Sequence, residues 1–261
     1  MKKNILKLVL ALVFILPTAE VCYGREFFQD FMEGLERDLE AGSVAGMGVM
    51  SMQQPYEGKD DEVYAVPLIV AEYKQFFIDA DIFGYYFQPK EEPLRVALIA
   101  SPRFQGYEDD DASLLNGMED RDWAFDGGLR LSWPSELFDV NLEAVADLSG
   151  RHKGQELRAI FSKTLLEGFL TPKVGIKWQS QDLLDYYYGV KSSEATAGRP
   201  EYEPDSGLQY FAGLTLAVPL AEKWALVGDI QSYFLADEVK DSPIVNEDTL
   251  MRYVAGVVYR F

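Results

Sequence analysis

The chain holds one histidine and one cysteine among 261 residues, and these limit the chemistry open to it. Nucleophilic catalysis needs a base within reach of a Ser or Cys, and structural zinc needs four Cys or His ligands. Only His152 offers a start on either. It stands in Gly150-Arg151-His152-Lys153-Gly154, whose glycine-bounded spacing is that of a tight hairpin loop, so no catalytic role is assigned to it. Glu108, Asp109, Asp110 and Asp111 supply the carboxylate oxygens that hard divalent cations favour, yet such acidic runs ordinarily stay solvated. No two carboxylates stand at a spacing recognisable for acid–base work. The expectation is a protein with no catalytic residues, no metal site and no cofactor.

Charge and composition narrow the partners. Acidic residues outnumber basic ones 43 to 24, for a net charge of −19. That sign repels a phosphate backbone, which binding proteins neutralise with Lys and Arg, so no nucleic-acid partner is expected. A hydrophobic fraction of 48% is enough for one domain or one barrel and excludes disorder for most of the chain.

The elements that must position these residues begin after an export signal. Lys2, Lys3 and Lys7 form a basic start, residues 8–16 are an apolar run, and Pro17 leads to a cleavage position after Gly24, with Cys22 three residues before the cut. Nine apolar residues are too few to span a bilayer. Glu20 and Val21 do not suit lipidation of Cys22. Residues 1–24 are therefore read as a signal peptide. In residues 25–42, Phe27, Phe28, Phe31, Met32, Leu35 and Leu39 share one helical stripe, which predicts a short N-terminal amphipathic helix.

From 43 to 261 the pattern changes to segments of about ten residues that alternate in polarity, the signature of a transmembrane β-barrel. Trp123, Phe125, Gly127, Leu129, Leu131 and Trp133 fall on one side, and Asp122, Ala124, Asp126, Gly128, Arg130 and Ser132 on the other. A soluble sandwich alternates as well, and the tryptophans choose between the two. At roughly 3.3 Å per residue and a tilt of about 40°, Trp123 and Trp133 stand about 25 Å apart along the axis, the height of a lipid-facing band. Trp178 and Trp224 also fall at strand ends on the apolar side, so the four form an aromatic girdle. The inward phase carries charges of both signs, among them Asp79, Asp81, Arg95, Arg103, Asp126, Arg130, Glu143, Glu156, Arg158, Lys173, Asp229 and Arg252. Facing one another across a small barrel, they point either to a bridged, largely filled lumen or to simple wetting.

Eleven strands can be drawn: 43–52, 64–73, 76–86, 94–105, 122–133, 138–149, 155–164, 169–179, 207–218, 223–235 and 250–261. A single-chain bacterial barrel has an even number. The last eight are self-consistent, so the parity error lies before residue 94. Twelve antiparallel strands are expected, with ten as the alternative.

The last segment, with Met251, Tyr253, Ala255, Val257, Tyr259 and Phe261 on one side, resembles the C-terminal strand of outer-membrane barrels, which implies that Tyr259 and Phe261 form the signal read by the barrel assembly machinery. Further motifs recur in order. They are Tyr56-Glu57-Gly58, the Gly150–Gly154 loop, Tyr188-Gly189-Val190 leading through Arg199 to Pro200, Glu201 and Tyr202, and Asp241-Ser242-Pro243-Ile244-Val245. Together with the terminal strand they resemble the MipA/OmpV family of outer-membrane proteins from about residue 43 onward. The resemblance implies location in the outer membrane, contact with its lipid, and a non-enzymatic scaffold or adaptor role toward a murein hydrolase, a lytic transglycosylase, and a peptidoglycan synthase. The polar inward face and long acidic loops give the alternative, a small cation-preferring channel or uptake barrel.

Overall fold

The computed structural model describes residues 43–261. The expected signal peptide and N-terminal helix lie outside the described residues. Twelve strands form one closed antiparallel barrel in which every strand pairs with its sequence neighbours and the first meets the last. They are β1 (Val44–Met52), β2 (Glu62–Tyr73), β3 (Phe76–Asp79), β4 (Ile82–Tyr86), β5 (Arg95–Arg103), β6 (Ala124–Trp133), β7 (Asp139–Asp147), β8 (Gln155–Ser162), β9 (Leu170–Gln179), β10 (Gly207–Ala221), β11 (Trp224–Phe234) and β12 (Thr249–Arg260). Among the described residues two α-helices lie in the connections, α1 (Gln181–Tyr188) and α2 (Asp237–Lys240), with a short 3-10 turn at Leu166–Gly168 between β8 and β9.

The expected twelve strands are present, one more than the eleven segments drawn from sequence, and the ten-strand alternative falls. The drawn segment 76–86 is two strands, with Asp79 paired to Ile82 around a turn at Ala80-Asp81. Two-residue hairpin turns favour Gly, Asn or Asp at positive φ; here Ala80 takes φ 55°, so the turn carries no glycine to announce it. Asp81 consequently sits at a hairpin tip, not on the inward phase of a strand.

Short turns after β4, β6, β8 and β10 gather at one end with the two termini, and long connections gather at the other. Short turns of outer-membrane barrels face the periplasm and long loops the exterior. Trp133 and Trp224 stand at the turn ends of β6 and β11, while Trp123 and Trp178 stand at the loop ends of β6 and β9. Trp123, Trp133 and Trp224 are exposed on the outer surface and Trp178 is half-buried, so two of the four tryptophans stand at each rim.

The inward charges form a continuous ionic chain. Asp79 meets Arg130 at 3.1 Å, Arg130 meets Glu143 at 2.8 Å, Glu143 meets Arg158 at 3.0 Å, Arg158 bonds Glu156, Glu156 meets Arg103 at 3.1 Å, and Arg103 meets Asp126 at 2.6 Å. The register explains this. Arg130, Glu143 and Arg158 are directly opposite one another on β6, β7 and β8, where opposite charges attract across the ladder. Lys173 and Arg252 meet around Asp229 at 2.6 and 3.5 Å. Arg95 bonds Glu72 at 2.6 Å.

Candidate functional site

The motif loops converge on one structure, a cap over the loop end of the barrel. Its core is an apolar cluster built from four connections: Tyr56 from β1–β2; Tyr107, Ala112, Leu115 and Met118 from β5–β6; Leu183, Leu184, Tyr187, Tyr188 and Val190 from β9–β10; and Leu235, Ala236, Val239, Ile244 and Val245 from β11–β12. Apolar residues on loops that would otherwise meet water are buried against each other instead.

Tyr56 is its centre. Its ring packs edge-on against Tyr107 at 4.7 Å and lies 6.0 Å from Tyr188. It pairs as a short β-bridge with Val245, and the next N–H, of Glu57, donates to the Ile244 carbonyl at 2.9 Å. Gly58 follows at φ 82°, where a side chain is disfavoured. The chain then turns back toward β2. Burial, reinforced by Tyr188, pushes the Tyr56 phenol well above its ordinary value. Burial likewise raises Tyr188.

The Asp241–Val245 motif closes the same core from the other side. Ser242 is buried and its hydroxyl donates to the Tyr188 carbonyl at 2.6 Å, while Ile244 is wholly buried. Val190 and Tyr202 bridge each other, and the Tyr202 hydroxyl donates to the Glu238 carbonyl at 2.8 Å. Gly189, which ends α1, is buried, whereas Glu57, Gly58, Pro200 and Asp241 lie exposed on the cap surface and Pro243 is half-buried.

Three residues tie the loops electrostatically that the sequence did not single out together. Arg121 presents both oxygens of Glu194 with one amino group at 3.1 Å each, and donates further to the Tyr186 and Glu119 carbonyls at 2.6 Å. Burial alone would raise the Glu194 carboxyl; the N–H groups of Glu119 and Lys191 and the Arg121 guanidinium hold it below its ordinary value instead. Arg199 binds the Glu194 carbonyl at 2.6 Å and also the Leu114 carbonyl, clamping the β9–β10 loop onto β5–β6. Arg121 and Glu194 carry no local signal, because only the folded loops bring them together.

The Gly150–Gly154 loop supports the cap from below. Asp147 accepts the Ser149, Gly150 and Lys153 N–H groups at 2.7, 3.0 and 2.8 Å, fixing the turn in which Lys153 adopts φ 53°. His152 is thereby turned inward and buried, with its ring 5.9 Å from that of Tyr187. At Gly154 a Cβ would stand 2.5 Å from the Leu183 amide nitrogen, so only glycine lets α1 approach this closely.

Asp126, Asp147 and His152 place ligand atoms within 4.8 Å of one another, the one metal-like grouping among the described residues. Their donors are already committed. His152 Nδ1 accepts the Gly154 N–H at 3.0 Å, which leaves the hydrogen on Nε2 to donate to Asp126 at 2.9 Å. The other Asp126 oxygen takes Arg103 at 2.6 Å. A nucleophile or a cation would have to displace these bonds. The acidic run is also engaged in part, with Asp111 paired to Lys59 at 2.8 Å.

At the turn end, Phe261 lies beside Tyr259, their ring centroids 5.4 Å apart, and its N–H donates to the Ser43 carbonyl at 3.1 Å. The terminal aromatic therefore helps close the seam between β12 and β1.

By sequence the chain is 26% identical over 220 residues to the MltA-interacting protein of Escherichia coli (strain K12), covering 83% of this chain and 89% of that one. It is 31% identical over 157 residues to outer membrane protein Omp26La of Vibrio anguillarum, covering 59% and 61%. Among solved structures, an outer membrane channel from Pseudomonas putida F1 aligns over 85% of this chain and 97% of that one, at 11% identity and a TM-score of 0.38. The family described as MltA-interacting protein MipA matches residues 45–261, the whole barrel with its cap, and the chain belongs to that family of outer-membrane proteins.

Proposed function

We propose that this barrel is a non-enzymatic adaptor that holds murein-remodelling enzymes, a lytic transglycosylase and a peptidoglycan synthase, at the inner face of the outer membrane. The observation that carries the reading is the combination of a lumen crossed by the Asp79-to-Asp126 ionic chain with a mouth covered by a packed cap. A barrel built this way offers surfaces more readily than a water-filled path. The name of the relative in Escherichia coli, which refers to interaction with MltA, supports the same reading. The commitment of both His152 ring nitrogens supports the absence of catalysis. Lipid is the partner of the apolar outer band, and the barrel assembly machinery the reader of Tyr259 and Phe261.

The test is capture from intact cells. Envelopes crosslinked before detergent extraction should yield a murein hydrolase or synthase with the tagged barrel. Extracts that repeatedly yield neither, at normal levels of folded barrel, would remove the adaptor reading.

A further inference from the structure

Among the described residues, the barrel wall between β2 and β5 is complete only in its turn-end half. β3 and β4 are four and five residues long. Their turn lies level with Ile69, whose carbonyl accepts the Ala80 N–H at 2.9 Å. Beyond that turn, among the described residues, 62–69 of β2 are in register with β1 alone, and 101–103 of β5 with β6 alone. Three strand spacings of about 4.8 Å make the resulting window roughly 14 Å wide at its base. At the loop end it is bounded by Lys59, which donates to the Gly106 carbonyl at 3.1 Å and pairs with Asp111 at 2.8 Å.

Both rims carry a proline on the window side. Backbone groups of alternate residues point the same way along a strand. The Ile69 carbonyl points toward the β3–β4 hairpin, so Pro67 faces the window. The Val96 carbonyl accepts the Phe87 N–H at 2.8 Å on the β4 side, so Pro102 faces it from β5. Each proline removes a donor that an added strand would need, which opposes closure by another β-segment. The outward residues of the rims, Val63, Ala65 and Pro67 on β2 and Ala100 and Pro102 on β5, are uncharged, so the window opens into hydrocarbon. An unpaired strand edge at that depth is tolerated where it lines a cavity.

The wall behind the window is apolar, unlike the ionic wall of β6–β8. The register turns Tyr64, Val66, Leu68 and Val70 inward, beside Gly46, Gly48 and Met50 of β1 and Val254 and Gly256 of β12. Leu68 lies over Gly48 and Gly256. Tyr64 and Val70 remain 40% and 47% exposed although they face the lumen. Across the window, Phe77, Ala97, Ile99 and Val145 form a second buried apolar patch.

We propose that the window is a lateral portal through which a lipid acyl chain passes from the membrane onto the apolar strip of Tyr64, Val66, Leu68 and Val70. The strip supplies the apolar surface such a chain seeks, and the prolines keep the portal from being sealed by a strand.

The test uses the folded barrel in phosphatidylcholine vesicles doped with a phospholipid that carries a diazirine near its acyl terminus. Adducts are mapped by mass spectrometry after illumination. Expected are adducts on the inward Tyr64, Val66, Leu68 and Val70, with none on Thr215 and Gln231 on the ionic side. Val66→Lys should abolish the inward adducts while the shift of the unboiled band in detergent shows an intact barrel. Adducts confined to outward side chains of the unaltered protein would overturn the proposal without recourse to the variant. Inward adducts that persist undiminished in a folded Val66→Lys barrel would overturn it as well.

Discussion

Arg121 and Glu194, 73 residues apart in sequence, meet as a buried pair with both carboxylate oxygens 3.1 Å from one guanidinium nitrogen. The pair joins the β5–β6 and β9–β10 loops of the cap. Removing one partner of a buried ion pair leaves an uncompensated charge and typically costs 3–5 kcal/mol, so Glu194→Ala is expected to destabilise the cap by about that much. Limited proteolysis checks it: cleavage within 104–123 and 180–206 should rise sharply while the strands stay protected.

The same pair gives the cap an acid limit. Glu194 is held below its ordinary value in the folded state, so its stabilisation is complete above the ordinary carboxylate value and is lost as pH falls through the depressed one. Hydrogen exchange of peptides from 180–206, corrected for intrinsic rates, should rise as pH is lowered from about 6 to about 3. Glu194→Gln should remove most of that response.

Gly154 tests the contact between the His152 loop and α1. Gly154→Val would drive a side chain into the Leu183 backbone, 2.5 Å from an added Cβ. The expected outcome is a displaced cap on an intact barrel. Tyrosine fluorescence and loop proteolysis should change, whereas the unboiled band in detergent should not.

Alternation made β6 and β7 legible, because each has one apolar and one charged face, and it failed where both faces are apolar. Tyr64, Val66, Leu68 and Val70 line the lumen while Val63, Ala65 and Pro67 face outward, so the middle of β2 carries no alternation, and only Glu62 and Glu72 near its ends mark the inward phase. The β3–β4 hairpin was hidden for a different reason, a turn made by Ala80 at positive φ. In the cap, the motifs at Tyr56, Tyr188, Tyr202 and Asp241–Val245 stood out as separate loops. Their convergence was not readable, since the Tyr56–Tyr107 and Arg121–Glu194 contacts depend on four loops folding over one barrel mouth.

The lumen network makes its own prediction. Glu156 touches Arg103 and Arg158 and is 1% exposed. Glu156→Ala leaves two guanidinium groups without their shared carboxylate and should lower barrel stability by roughly 3–5 kcal/mol. The temperature at which the folded band is lost on heating in detergent should fall. An apolar replacement of all three, Glu156→Leu with Arg103→Met and Arg158→Met, should recover much of the loss.

A barrel that works through its surfaces and not through an open lumen should be silent in single-channel recording of the refolded protein in a planar bilayer. A folded barrel, verified by its band shift on boiling, is expected to carry no discrete current. Regular, salt-dependent openings from the same preparation would contradict it and establish a conducting channel in place of the adaptor.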